Sequence, residues 1–261
     1  LDNIDASVAH DIYIIEDKKE ITKFIPASGA ASRMFKALHQ LKAEVEDSAR
    51  SISELLQKEE FTALRPFFDQ FEKFAFADKA KRSAEKKNAN FNELSQDDQH
   101  KALLASVLDE DQLGLAELPK GLILFHQYEN EKLTPFEEHF YESADYADQN
   151  DKAHLHFTVT DDHLSKFKEV EERSRPTIEE KTGLKYHVDY SFQEKSTDTV
   201  AVDPDNTLFH LENGELLFRP AGHGALIKNL DQIDSDIIFI KNIDNVQRKE
   251  LAKDNAFYKQ V

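Results

Sequence analysis

Residues 24–36 read Phe24-Ile25-Pro26-Ala27-Ser28-Gly29-Ala30-Ala31-Ser32-Arg33-Met34-Phe35-Lys36, and this stretch decides the fold. The apolar, β-branched run Ile21–Ala27 reads as a strand. Small residues follow, and helical spacing starts at Ser32. A strand that turns tightly into a helix predicts an α/β architecture. Small side chains let backbone N–H groups approach phosphate oxygens, and a helix N-terminus adds partial positive charge. Arg33 can hold a phosphate through two parallel hydrogen bonds. A tight turn with a purely structural purpose fits the same residues. The run matches neither the dinucleotide G-x-G-x-x-G pattern nor the P-loop.

Outward from this stretch, strands are predicted at Gly121–Gln127, His154–Thr160, Lys185–Phe192, Leu216–Pro220 and Asp236–Ile243. Helices are predicted at Ser32–Glu46, Thr134–Gln149, Asp161–Thr182 and Ala225–Leu230, with Thr134, Asp161 and Thr177 as N-caps. Strands that alternate with helices imply a mostly parallel sheet covered on both faces. Residues 37–117 break the alternation. Phe61, Leu64, Phe67, Phe68, Phe71 and Phe74 recur at helical steps. They read as the core face of a helix, with an aromatic partner surface as the other reading. Lys79–Asn92 is charged and turn-like, and Gln96–Leu108 reads as a further helix. His154 and His156 would share one side of a strand; without a third ligand nearby, packing explains them better than a metal.

The 261 residues suit one large α/β domain or two small ones. Nineteen Phe can fill a core of that size, so general disorder is excluded despite 32 % charged residues. A net charge of −18 disfavours a nucleic-acid partner, which needs a basic face. Zero Cys removes disulfides, thiolate zinc sites and cysteine nucleophiles. No apolar stretch is long enough to span a membrane, and residues 1–11 lack a signal-peptide pattern. The expectation is a cytoplasmic globular protein.

Three further segments carry chemistry where a strand meets a loop. Pro119-Lys120-Gly121-Leu122-Ile123 puts a Lys just before an apolar run; an ordinary surface lysine fits as well. Phe218-Arg219-Pro220-Ala221-Gly222-His223-Gly224 ends a strand and brackets a His with glycines, which lets backbone press on a planar ligand. Phe239-Ile240-Lys241-Asn242-Ile243-Asp244-Asn245 leaves Asp244 at the carboxyl end of an apolar strand. Open α/β sheets bind ligands there, and a carboxylate can hold Mg²⁺ against nucleotide phosphates.

In order along the chain, GAASRM at 29–34, PKGLI at 119–123, FQ at 192–193, PAGHG at 220–224 and NIDN at 242–245 resemble the motifs of the nucleotide-sugar pyrophosphorylases. The similarity is greatest to the uridylyltransferases that join UTP to sugar 1-phosphates. It covers residues 20–36 and 119–247 and points to a divergent bacterial branch. The resemblance implies a Rossmann-like, mixed but mostly parallel sheet of the GT-A nucleotidyltransferase type. Residues 1–36 and 118–261 would form that domain, with 37–117 as a helical insertion. Ala31 stands where the family has its second loop glycine, Ser28 replaces another, and Gly121 replaces a serine.

The resemblance also assigns roles. Ser28, Gly29, Ala30, Ala31 and Ser32 would cradle phosphates with their amides, and Arg33 and Lys120 would be the catalytic cations. Asp244 would bind Mg²⁺, Gln193 would read the base, and Gly222 and His223 would pack on base, ribose or sugar phosphate. Lys36, Arg219 and Lys241 would add to a local basic pocket. The substrates implied are a nucleoside triphosphate, UTP favoured, and a sugar 1-phosphate, with Mg²⁺ as cofactor. A second reading keeps the fold as a nucleotide- or sugar-phosphate-binding protein without catalysis. A third makes residues 37–117 an interaction module. Because the family's domain extends past its N-x-D-N strand, the resemblance implies that the chain continues beyond Val261.

Overall fold

Every residue of the strand Ile21–Pro26 is buried, as in a strand covered on both faces. The computed structural model describes residues 19–48 and 50–260; the start read at 1–11 and the continuation past Val261 lie outside them. Its strands are β1 Ile21–Pro26, β2 His126–Gln127, β3 Lys132–Leu133, β4 Asp148–Gln149, β5 Lys152–Val159, β6 Lys185–Phe192, β7 Thr199–Val200, β8 Phe218–Arg219 and β9 Ile237–Ile240. Its α-helices are α1 Ser32–Ser48, α2 Ile52–Leu55, α3 Arg65–Asp69, α4 Ala77–Lys87, α5 Gln96–Leu108, α6 Pro135–Tyr146, α7 Leu164–Thr182, α8 Ile227–Leu230 and α9 Lys249–Gln260. They fall into two units, Leu1–Ser28 with His139–Val261, and Gly29–Glu138.

The first unit is built on a mixed, mostly parallel sheet. β1 pairs in parallel with β5 on one side and β9 on the other, and β6 lies beyond β5. Only β4 is antiparallel, against the start of β5. The spatial order β6-β5-β1-β9 means that the chain builds outward from β1 and then returns to its far side. The order reverses between β1 and β9, the kind of place at which open parallel sheets commonly bind ligands. α7 carries the chain from β5 to β6 and ends at Gly183, whose φ of 76° is left-handed and favours glycine. α7 runs unbroken through Pro176, so Thr177 caps nothing, and no side-chain bond caps its start near Asp161.

Within this unit, residues 199–219 form a ribbon of three short antiparallel segments. None of its residues is buried, although Val202, Leu208, Phe209, Leu211 and Phe218 are large and apolar. The strand expected at Leu216–Pro220 shrinks to two paired residues of this ribbon. The expected Asp236–Ile243 strand pairs regularly only over Ile237–Ile240.

The second unit is helical, and no strand occurs among its described residues in 37–117. The phenylalanine stripe is core: Phe61, Phe68 and Phe71 are buried together with Phe76, Leu38, Leu41, Leu55 and Leu104, and Leu64, Phe67 and Phe74 pack against them partly buried. Burying each ring contributes roughly 1.5–3 kcal/mol. The stripe does not lie on one helix, however. It is cut into a 3₁₀ turn at Glu59–Leu64, the short α3 and a 3₁₀ turn at Phe71–Lys73. Pro66 starts α3, and Gln70 leaves helical geometry at φ −122°.

Two expectations fail here for opposite reasons. Lys79–Lys87 is helical and only Asn88–Asn92 is turn-like: Ala77, Ala80 and Ala84 pack one face of α4, and good helix-formers carry its charges outward. Gly121–Gln127 is not a strand but a 3₁₀ turn at Lys120–Leu122 and the two-residue β2. Its apolar residues Ile123, Leu124 and Phe125 instead join the helical core. Thr134 does cap α6, its hydroxyl taking the Glu137 amide at 3.3 Å while Glu137 takes the Thr134 amide at 2.9 Å.

Candidate functional site

The glycine loop and the lysine motif are a single piece of structure. The Ala31 amide donates to the Leu118 carbonyl at 3.1 Å, and the Lys120 amide donates to the Gly29 carbonyl at 3.1 Å. Between these bonds, Ala30 and Pro119 form an antiparallel bridge. Thus the two motifs, far apart in sequence, run side by side at the start of α1. That helix has no acidic residue in its first turn, so its N-terminal potential is not offset there. Ser32, Arg33 and Lys36 are exposed, while Lys120 is half-buried.

Ala31 answers to packing. Its methyl is fully buried in the helical core, and its backbone is not among the positive-φ positions. Alanine therefore causes no strain in the loop. Its amide, however, is already engaged by Leu118, so it drops out of the set expected to hold phosphate.

Asp244 lies in the first unit beside the carboxyl end of β1. Pairing with β1 continues past β9: the Lys241 amide donates to Phe24 at 3.1 Å and the Ile243 amide to Pro26 at 3.1 Å. Asp244 follows directly and is half-buried; Ser28 lies two residues past the end of β1. No group of three or more metal-ligating side chains occurs among the described residues. One carboxylate at a strand end fits Mg²⁺, which keeps waters and is shared with substrate phosphates, better than a cation held by an all-protein cage.

Gln193 directly follows β6 and donates its amide to the Thr197 hydroxyl at 3.2 Å. Asn229 of α8 is buried and donates to Ser191 Oγ at 2.9 Å and to the Phe192 carbonyl at 2.8 Å. It ties the segment opened by Gly222 and His223 to the strand end that carries Gln193. Gly222 and His223 themselves are exposed. Gly29, Gly222 and Gly224 lack positive φ, and an added Cβ would meet nothing within 4 Å. Neither backbone nor neighbours require glycine at these three places, which leaves room for a ligand to come close.

A buried charge cluster escapes the sequence reading, apart from Lys241. Lys23, in the middle of β1, is fully buried; its ammonium donates to the His139 carbonyl at 3.1 Å and lies 3.5 Å from Glu142. Lys241 reaches both Glu142 oxygens at 2.7 Å, and Tyr146 donates to Glu142 at 2.6 Å. Burial pushes the Lys23 ammonium down to about 7 against the pull of Glu142. Burial opposes ionisation of Glu142, but Lys23, Lys241 and the Tyr146 hydroxyl hold its carboxyl at about 2. Burial drives His139 well below the usual histidine range. The one available signal was the spacing of His139, Glu142 and Tyr146, which puts three polar groups on the apolar face of α6.

The two strand histidines pack as expected. The His154 ring lies 5.1 Å from that of His187, and His156 pairs with Ser191 Oγ at 2.8 Å and stacks on Phe24. An open groove of about 500 Å³, lined by Lys168, Glu171, Arg175, Asp189 and Tyr190, holds none of the expected site residues. No described helix is long and apolar enough to cross a membrane.

No curated protein matches the chain. No solved structure matches it either. A family model covers residues 4–261, nearly the whole sequence, and the chain accordingly belongs to the family described as "Domain of unknown function (DUF4301)".

Proposed function

We propose that this chain is a nucleotidyltransferase that joins a nucleoside triphosphate, UTP favoured, to a sugar 1-phosphate. One observation carries the reading: the small-residue loop at Gly29–Ala31 is hydrogen-bonded to the Leu118–Lys120 segment. That pairing puts two backbone segments bearing a cation each, Arg33 and Lys120, at one helix N-terminus. The strand order β6-β5-β1-β9 supports a Rossmann-like, GT-A-type sheet, with Asp244 at the reversal. A cytoplasmic location belongs to the same reading, since nucleoside triphosphates are held there.

In the reaction, a phosphate oxygen of the sugar 1-phosphate attacks the α-phosphorus. The bond from that phosphorus to the β-phosphate bridging oxygen breaks, and pyrophosphate leaves with the electron pair. No proton need move, so catalysis rests on positioning and charge stabilisation. The amides of Gly29, Ala30 and Ser32 with Arg33 would hold the β- and γ-phosphates. Lys120 would stabilise charge growing on the α-phosphate. Gln193, its amide nitrogen directed by Thr197, would offer its carbonyl to an N–H of the base. Bound Mg²⁺ supplies neutralisation of phosphate charge, and Asp244 would hold it.

The engaged Ala31 amide favours a second reading, a protein that binds nucleotide without transferring it. Titration calorimetry with UTP, ATP and Mg²⁺, followed by pyrophosphate-release assays over several sugar 1-phosphates, tests both. Pyrophosphate release supports the first reading; UTP binding without release selects the second. Failure to bind any nucleoside triphosphate sinks both.

A further inference from the structure

We propose that Lys241 and Glu142 are positioning residues for Asp244, acting on the segment 241–245 from the buried charge cluster beneath it. This rests on the nucleotidyltransferase reading, in which Asp244 is the carboxylate that meets the divalent cation. Past Ile240 the backbone stays bonded to β1 through the Lys241 amide, which donates to Phe24 at 3.1 Å, and further restraints fix the rest of the segment. Side chains one turn apart on α6 supply two of them. Glu142 holds the Lys241 ammonium with both oxygens at 2.7 Å, and the His139 ring nitrogen meets the Ile243 carbonyl at 3.3 Å. The Ile243 amide adds a third through Pro26, at 3.1 Å. Asp244 is the next residue.

Glu142 is itself fixed, between Lys23 on β1 and the Tyr146 hydroxyl. Stability does not explain this arrangement. Apolar residues of similar shape commonly hold a sheet and a helix together as well as buried ions do, or better. A buried charge cluster instead enforces one geometry, because each alternative leaves a charge unpaired in the interior. A metal-binding carboxylate needs that, since a site displaced by about 0.5 Å loses affinity.

The test is Mn²⁺ binding in the presence of UTP, followed by the loss of the free-ion electron paramagnetic resonance signal. Lys241→Met keeps Lys23 beside Glu142 as its remaining cation near and below neutral pH, where the fold should persist; thermal melting checks this, and Lys241→Gln serves as a second variant. Both should weaken Mn²⁺ binding about tenfold or more, and Lys241→Arg, which can still grip both carboxylate oxygens, should recover most of it. Charge alone predicts the opposite sign, since removing a nearby cation favours a bound metal ion. Binding by the Met and Gln variants as tight as wild type, or tighter, overturns the positioning role while leaving the metal reading intact. Mn²⁺ that binds equally to wild type and Asp244→Asn, or binds to neither, overturns the metal reading and the positioning role with it.

Discussion

The Ala31 amide donates to the Leu118 carbonyl at 3.1 Å, so a loop beside the first strand and a segment nearly ninety residues later share one backbone ladder. Fixing that contact closes a long loop, whose cost in chain entropy grows only slowly with length. The helical core, in which the Ala31 methyl and Ile123 are both buried, holds the ladder closed.

Arg33→Ala and Lys120→Ala follow from this pairing. Each should weaken UTP binding by about tenfold or more, the loss of a charge-assisted hydrogen bond of roughly 1.5–3 kcal/mol. Arg33 is exposed and Lys120 only half-buried, so unfolding free energies should stay within about 0.5 kcal/mol of wild type for Arg33→Ala and move little for Lys120→Ala. Calorimetry and urea unfolding check both halves; a large stability loss with unchanged affinity would make these residues structural.

Ala31→Gly introduces the glycine found in the loops this sequence resembles and should still gain nothing. The amide is already bonded, while the lost buried methyl and the freer backbone cost about 1–2 kcal/mol. The expected result is a lower melting temperature at unchanged UTP affinity. A clear rise in affinity would show that the alanine, and not Leu118, limits phosphate binding.

Stability should depend on pH through Lys23. Its ordinary value of 10.5 applies to the unfolded chain, and about 7 applies in the fold. Between these values the unfolded chain binds a proton that the native protein lacks, so stability rises with pH, by up to about 1.4 kcal/mol per pH unit. Urea unfolding of wild type between pH 7.5 and 9.5 should show the rise, and Lys23→Met should flatten it. At the acid end, Glu142 is held at about 2, so the stability it contributes above its ordinary 4.5 is lost as pH falls between the two values.

Asn229→Ala tests the link between α8 and Gln193. It removes the partner of the Phe192 carbonyl and one partner of Ser191, at a cost of roughly 1–3 kcal/mol. With the strand end loosened, the preference for UTP over ATP should fall severalfold. Competition binding measures it, and a full stability loss with unchanged preference would confine Asn229 to packing.

Much of the fold was legible where local pattern and tertiary demand agree. β6 spans Lys185–Phe192 and α5 spans Gln96–Leu108, as their periodicity predicts. The run at Gly121–Gln127 misled because an apolar segment can be buried in a helical core without being a strand. Charge misled at α4, where three alanines suffice for the buried face. Among the candidate site residues, the loop and the lysine motif stood out by residue type, but their hydrogen-bonded partnership did not. The cluster of Lys23, Glu142 and Tyr146 was hidden more deeply. A lysine inside an apolar strand looks like ordinary alternation until the helix packed over it brings a carboxylate.

The ribbon at 199–219 has a thermodynamic consequence. None of its residues is fully buried, so little apolar contact is lost when the ladder opens. Its amides should exchange with solvent through local opening, at a free-energy cost well below that of global unfolding. A melting curve read from a probe in the ribbon would therefore not coincide with one read from the parallel sheet. Unfolding followed at the two places should then fail the coincidence expected of a single all-or-none step.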